Sequence, residues 1–172
     1  MFSHRNHWCR ITIFLSVHVA TYAGEIEDAK EEVRKNPDYA DARLKLGHAY
    51  VQLHKVQDAI KSYKEAIWIY PDYAAAHFFL AGAYELESVI TLFSKGIQKA
   101  IKHYEKAIIC AEPAEDKGDI YIRKQSHYDL GEIYILRTRD RSAAEEQIEK
   151  LQDLGEWKLA TRLKGMISTE LD

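Results

Sequence analysis

Apolar residues in the middle of the chain return every three or four positions, the interval that places them on one side of an α-helix. Leu46, Tyr50 and Leu53 form one such stripe, and Val56, Ala59, Ile60, Tyr63, Ala66 and Ile67 form the next. The spacing predicts two helices. A second pair follows the same scheme, with Leu80, Ala81 and Tyr84 on its first helix and Ala100, Tyr104 and Ala107 on its second. A third carries Leu130, Gly131 and Tyr134, then Ala144, Ile148 and Leu151, with one extra residue between its halves; its first helix is expected to begin near Asp119. Upstream, Ile26, Ala29 and Val33 make a shorter stripe. Downstream, Trp157, Ala160, Leu163 and Ile167 fall near one face of a last helix.

Proline punctuates this pattern. Pro37-Asp38-Tyr39-Ala40 returns as Pro71-Asp72-Tyr73-Ala74, 34 residues later. Proline has no backbone N–H to continue a helix, and the aspartate after it suits the cap of the next one. Asp38 and Asp72 are therefore expected to accept hydrogen bonds from the first amides of the following helices. Gly47, Ala59 and Ala66 are small where paired helices must approach, and a larger side chain there would overpack the contact by ~1–3 kcal/mol.

The spacing of Leu46, Gly47, Tyr50, Ala59, Tyr63, Ala66 and Pro71 resembles the tetratricopeptide repeat, whose pattern is Trp-x2-Leu-Gly-x2-Tyr, then Ala-x3-Phe, then Pro. Arg43 stands where that pattern has Trp, and His54 where a glycine usually separates the helices. The resemblance implies an all-α fold, a right-handed superhelical solenoid of antiparallel helix pairs. It divides the chain into a half unit at 25–37, units at 40–73, 74–114 and 119–154, and a capping helix at 156–170. From Tyr84 to Ala100 the second unit is seven residues longer than the first. The added stretch, residues 85–99, is expected to form further helical turns, packing on its neighbour or offering a partner-specific contact.

Composition narrows the function. Of 172 residues, 47% are hydrophobic and 30% charged, the balance of a folded protein rather than a disordered one. Net charge is only −3 and the basic residues are scattered, which argues against nucleic-acid binding, since phosphate neutralisation needs a basic patch. Cys9 and Cys110 are too few for a disulfide framework or a zinc site. Residues 1–23 place Arg5 and Arg10 before an apolar run and end in small residues, an order that resembles a secretory signal peptide cleaved after Ala23. The run is too short for an ordinary transmembrane helix. If it is a signal, the protein is exported, secreted or periplasmic; the alternative is a buried or disordered N-terminal segment on a cytoplasmic protein.

Catalytic chemistry is not legible. The sequence holds no Ser/His/Asp order, phosphate loop or HExxH. His4, His7 and Cys9 lack a fourth metal ligand, and no cofactor is expected. In the tetratricopeptide family the first helices of successive units line a groove for partners. That resemblance puts Leu44, His48, Val51 and Gln52 there from the first unit, Phe78, Gly82, Glu85 and Leu86 from the second, and Tyr128, Glu132, Ile135 and Leu136 from the third. The Lys and Asn by which one subtype clamps an acidic peptide terminus are replaced by Leu44 and His48. The implied partner is a protein or peptide, helical or extended, with hydrophobic anchors; the alternative is filling of the groove by the N-terminal segment or a second copy, giving a self-assembling homo-oligomer. On this reading Phe78→Glu abolishes docking with circular dichroism unchanged, and Glu132→Ala weakens a polar contact; unchanged affinity in a folded Phe78→Glu variant would remove the groove assignment.

Overall fold

Helices form where the apolar stripes lie. The computed structural model describes residues 24–91, 95–112 and 116–171, and their regular elements are all helical. Residues 24–35 are helical (α1), followed by α2 (Ala40–Gln52), α3 (Val56–Ile69), α4 (Ala74–Thr91), α5 (Lys95–Cys110), α6 (Lys117–Ile133), α7 (Arg141–Asp153) and α8 (Trp157–Glu170). A π-helical turn, Tyr134–Thr138, extends α6. The leader-like segment and its His4, His7 and Cys9 lie outside the described residues. No described helix is long and apolar enough to cross a membrane. The chain divides after Ile69 into two compact units.

In the first unit, Ile26 and Ala29 of α1 pack on Leu46 and Ala49 of α2, with Val33, Tyr50 and Leu53 closing the edge. The α2–α3 hairpin closes through the smallest side chain available. A β-carbon on Gly47 would stand 2.3 Å from Cε1 of Tyr63, so the tyrosine ring occupies the space of the missing side chain. Ala59 and Ala66 are fully buried on the facing helix. Arg43, at the position of the repeat tryptophan, donates to Glu65 of α3 at 2.6 Å and ties the hairpin by charge rather than ring packing.

In the second unit, Ala81, Ala100 and Ala107 are fully buried. The added stretch is helical on both sides of residues 92–94. A β-carbon on Gly96 would come within 2.8 Å of both Ser88 Cβ and the Tyr84 carbonyl oxygen. One side of the extension therefore packs, with Ser88 buried, while Val89 and Ile90 on its other side are exposed. The α6–α7 hairpin and α8 share a core of Tyr128, Ile135, Ala144, Ile148, Leu151, Ala160, Leu163 and Ile167. Gly131 again marks a close approach, since a β-carbon there would lie 2.4 Å from Leu163 Cδ1. Trp157, expected on the buried stripe of the last helix, is 62% exposed: it opens α8, one turn before the stripe meets the core.

The expected aspartate caps do not form. The N-cap of α2 is Tyr39, without a side-chain bond, and Asp72 turns instead to α5, accepting from Lys106 Nζ at 3.1 Å. Side-chain caps appear at Asp116, which accepts from Asp119 N at 2.8 Å, and at Asp140, which accepts from Ala143 N at 3.0 Å. The Asp116 cap starts α6 two residues before Asp119.

Helix exits share one device. His54, Arg139 and Gly155 have φ of 56°, 57° and 76°, and the amide of the next residue returns to a carbonyl a turn and a half back: Lys55 to Tyr50, Asp140 to Tyr134, Glu156 to Leu151, at 2.8–2.9 Å. The loop closing over Tyr134 holds one residue more than the loop over Tyr50, and the π turn takes it up by widening the final helical turn. Only glycine adopts this left-handed backbone without cost; other residues lose ~1–2 kcal/mol. His54→Gly should therefore raise stability by up to about 1 kcal/mol, and Gly155→Ala, where a β-carbon meets nothing within 4 Å, should lower it by about 1 kcal/mol. Urea unfolding of both variants reads the opposite signs directly.

Candidate functional site

A pocket of about 260 Å³ opens in the second unit beside the C-terminal turns of α4 and α6. Helical spacing delivers Gly82, Glu85, Leu86 and Val89 to it from α4, and Glu132, Leu136 and Arg137 from α6 and its π turn. Leu86, Val89 and Leu136 are 43%, 53% and 46% exposed, an apolar rim above two carboxylates. The third helix of the site, α5, approaches Gly82 only at ordinary contact distance: a β-carbon there would meet the Tyr104 hydroxyl at 3.7 Å.

The floor is acidic and half dry. The Tyr104 phenol of α5 lies close enough to Glu85 and to Asp129 of α6 to draw both carboxyls down. Burial, followed by the charges of Asp129 and Glu132, pushes the Glu85 carboxyl up to about 7, against the pull of Arg137. Asp129 is pushed up to about 6, chiefly by burial, although Gln125 Nε2 donates to it at 2.8 Å. Glu132 accepts from the Tyr128 hydroxyl at 2.5 Å, and Arg162 of α8 stands 3.8 Å away, over the Tyr128 ring. Burial is also the largest cause of the upward shift of the Tyr104 and Tyr128 phenols.

The residues expected to line a groove separate into four groups. Glu85, Leu86 and Glu132 meet at this pocket together with Gly82 and Leu136. Leu44, Tyr128 and Ile135 are buried, at 6%, 4% and 0% exposure, and leave a partner almost nothing to touch; their apolar surface is spent on packing. Phe78 is half-buried and packs on the cluster of Ala74, Ala107, Ala111 and Ile122, with its ring 5.7 Å from that of Tyr104. Phe78→Glu would thus damage the core as well as any docking. In the first unit, His48 and Gln52 line a separate concavity of about 600 Å³ with Glu32 and Lys45. The His48 ring stands edge-on to Tyr63 at 5.7 Å, and burial lowers its pKa. Val51 is half-buried beside them.

One recurring feature escaped the sequence reading. Four positions before Gly47, Ala81 and Gly131 stand Arg43, His77 and His127, and each reaches a polar side chain on the following helix. Arg43 takes Glu65; His77 Nδ1 lies 3.0 Å from His103 Nδ1; His127 Nδ1 lies 2.8 Å from Gln147 Oε1. A carbonyl can only accept, so His77 Nε2, at 3.0 Å from the Pro71 carbonyl, carries the proton and its Nδ1 accepts from His103. His127 in turn donates to Gln147. Burial is the main cause that lowers both the His77 and the His127 pKa, which keeps both rings neutral. Their identical register with the repeat was the signal that could have revealed them. No group of three residues able to hold a metal ion occurs among the described residues. Cys110 is half-buried, its thiol 3.8 Å from Asp72 Oδ1 and raised by burial.

These groups give opposite pH signatures. Glu85 and Asp129 titrate higher in the folded protein than their ordinary values, so their contribution to stability is complete below about pH 4 and is lost as pH rises through about 6 to 7. His77 and His127 titrate lower, so theirs is complete above about pH 6.5 and is lost on acidification. Thermal melts of wild type and Glu85→Gln should coincide near about pH 4 and separate as pH passes about 7, with the variant more stable. A constant gap across that range would contradict the burial of this carboxylate.

Comparison with known proteins agrees with this architecture. A family model described as TPR repeat matches residues 47–86. Among solved structures, one titled "Crystal structure of MamA" is similar over 84% of this chain and 69% of its own, with 22% sequence identity and a TM-score of 0.54. No curated protein matches the chain. The resemblance carried by Leu46, Gly47 and Tyr50 thus extends to a tetratricopeptide-repeat match from Gly47 to Leu86, and the fold is that of an all-α helical solenoid built from paired helices.

Proposed function

We propose that the chain is a non-catalytic adaptor that binds a segment of a partner protein in the pocket between α4 and α6. One observation carries the reading: Leu86, Val89 and Leu136, all substantially exposed, converge on a single concavity. Single exposed apolar residues are ordinary on protein surfaces, but a group rimmed by polar residues marks a place where something docks. Such an apolar group suits a helix or an extended strand that presents hydrophobic anchors at alternate turns or positions. The repeat match over residues 47–86 includes the first half of the α4 wall and supports the same reading.

Leu86→Glu is the appropriate disruption, because this side chain borders the pocket rather than the core. Glu132→Ala is a poorer probe, since Glu132 also holds Tyr128 and Arg162. Affinity capture from the native cell with wild type and Leu86→Glu, read by mass spectrometry, should return a protein retained by the first and lost by the second, at equal helical content. Identical recoveries would reject the pocket. Light scattering of the purified chain supplies the other arm: mass that grows with concentration and collapses in Leu86→Glu would assign the same surface to a second copy.

A further inference from the structure

The pocket discriminates among partners by charge as well as by shape. Its rim is apolar, and its floor holds Glu85 and Glu132 from two different helices, with Asp129 behind them. The cations nearby are committed or peripheral. Arg162 of α8 lies 3.8 Å from Glu132 and over the Tyr128 ring. Arg137 stands exposed on the π turn at the edge of the pocket. Gln125, which donates to Asp129, and the Tyr104 phenol bring no charge. Three carboxylates therefore face two guanidiniums, and Arg137, the one that acts on Glu85, does so through its charge against the opposing charges of Asp129 and Glu132. A neutral apolar segment seated there would bury Glu85 further and strip it of water, which costs free energy when no counter-charge arrives.

Resting on the adaptor reading, we infer that the docked segment carries a lysine or arginine flanked by hydrophobic residues. The cation reaches Glu85 and Glu132, and the neighbouring side chains cover Leu86, Val89 and Leu136. Charge complementarity selects this partner over an acidic one, which would set like charges against the floor. It also makes binding proton-linked. The groups facing Glu85 are Asp129 and Glu132 on α6, Arg137 on the π turn and Tyr104 on α5. With its carboxyl at about 7, Glu85 is close to half protonated at neutral pH. An incoming cation favours the carboxylate, so docking expels a proton and strengthens as pH rises.

The test uses the full chain and three fluorescein-labelled peptides that share one frame of leucines at helical spacing. Lysine, glutamine or glutamate occupies the intervening positions, and binding is followed by anisotropy. The lysine peptide should bind at least about tenfold more tightly than the glutamine peptide at about pH 8. It should weaken several-fold by about pH 6 and weaken with added salt. The glutamate peptide should bind least. Glu85→Gln, which keeps the shape of the side chain, should remove most of the lysine preference and flatten its pH dependence, with circular dichroism unchanged. Equal binding of the lysine and glutamine peptides, or an unaltered preference in Glu85→Gln, overturns the inference. So does an absence of lysine-peptide binding up to millimolar concentration. The adaptor reading is tested separately: if lysine and glutamine peptides bind alike and both are lost in Leu86→Glu, it stands and the pocket is a docking site without charge selection. If all binding survives Leu86→Glu, the pocket itself is rejected.

Discussion

Close approach of paired helices is the constraint on which the rest of this protein rests. Gly47 lies beneath the Tyr63 ring and Gly131 beneath Leu163, while Gly96 meets Ser88 and the backbone of Tyr84. At such distances there is no slack for a methyl group, and interiors packed at this density respond to an added carbon by moving helices rather than absorbing it. The contact fixes the rotation of each helix about its own axis. With rotation fixed, the residues three and four positions away must emerge elsewhere. On α4 this sends Ala81 and Tyr84 inward and Glu85, Leu86 and Val89 into the pocket.

Polar pairs across the hairpins reinforce that register. The repeat pattern places a large aromatic ring where Arg43, His77 and His127 stand, and a ring would seal the hairpin by area alone. Here direction replaces area, because each pair is satisfied at one rotation only. A buried histidine whose partner is lost leaves an orphaned donor or acceptor, costing about 1–3 kcal/mol, so misaligned pairings are penalised more than correct ones are rewarded. The cost of this design is sensitivity to acid at His77 and His127, opposite in sign to the carboxylates under the pocket.

What the sequence revealed follows from what is local. Apolar spacing and Pro37 and Pro71 located the helices, because both act within a few residues. The small residues at Gly47, Ala59 and Ala66 disclosed the hairpin contact, since their size has no other local purpose. The caps were misread: aspartate after proline is a good cap in isolation, but Asp72 is drawn away by Lys106, 34 positions along the chain and one helix over. The family resemblance put Tyr128 and Ile135 in the groove, yet α7 and α8 bury them. The raised carboxyls of Glu85 and Asp129 were invisible because the desolvation that raises them comes from three helices at once. The left-handed backbone at Arg139 was likewise hidden, since the residue is not the glycine that announces it, whereas His54 stands where the repeat pattern has that glycine.

The π turn after Ile133 shows how such a chain changes length. One additional residue is taken up in a single widened turn, and Ala144, Ile148 and Leu151 still arrive in the shared core. The longer addition between Tyr84 and Ala100 lengthens both helices of its hairpin, and Ser88, Gly96 and Ile97 carry buried contacts into it. The added residues also shape the surface around the pocket, to which the π turn contributes Leu136 and Arg137. A pattern of fixed spacing follows this chain only to Leu86, where the drift begins, although the helices beyond it continue to pair in the same way.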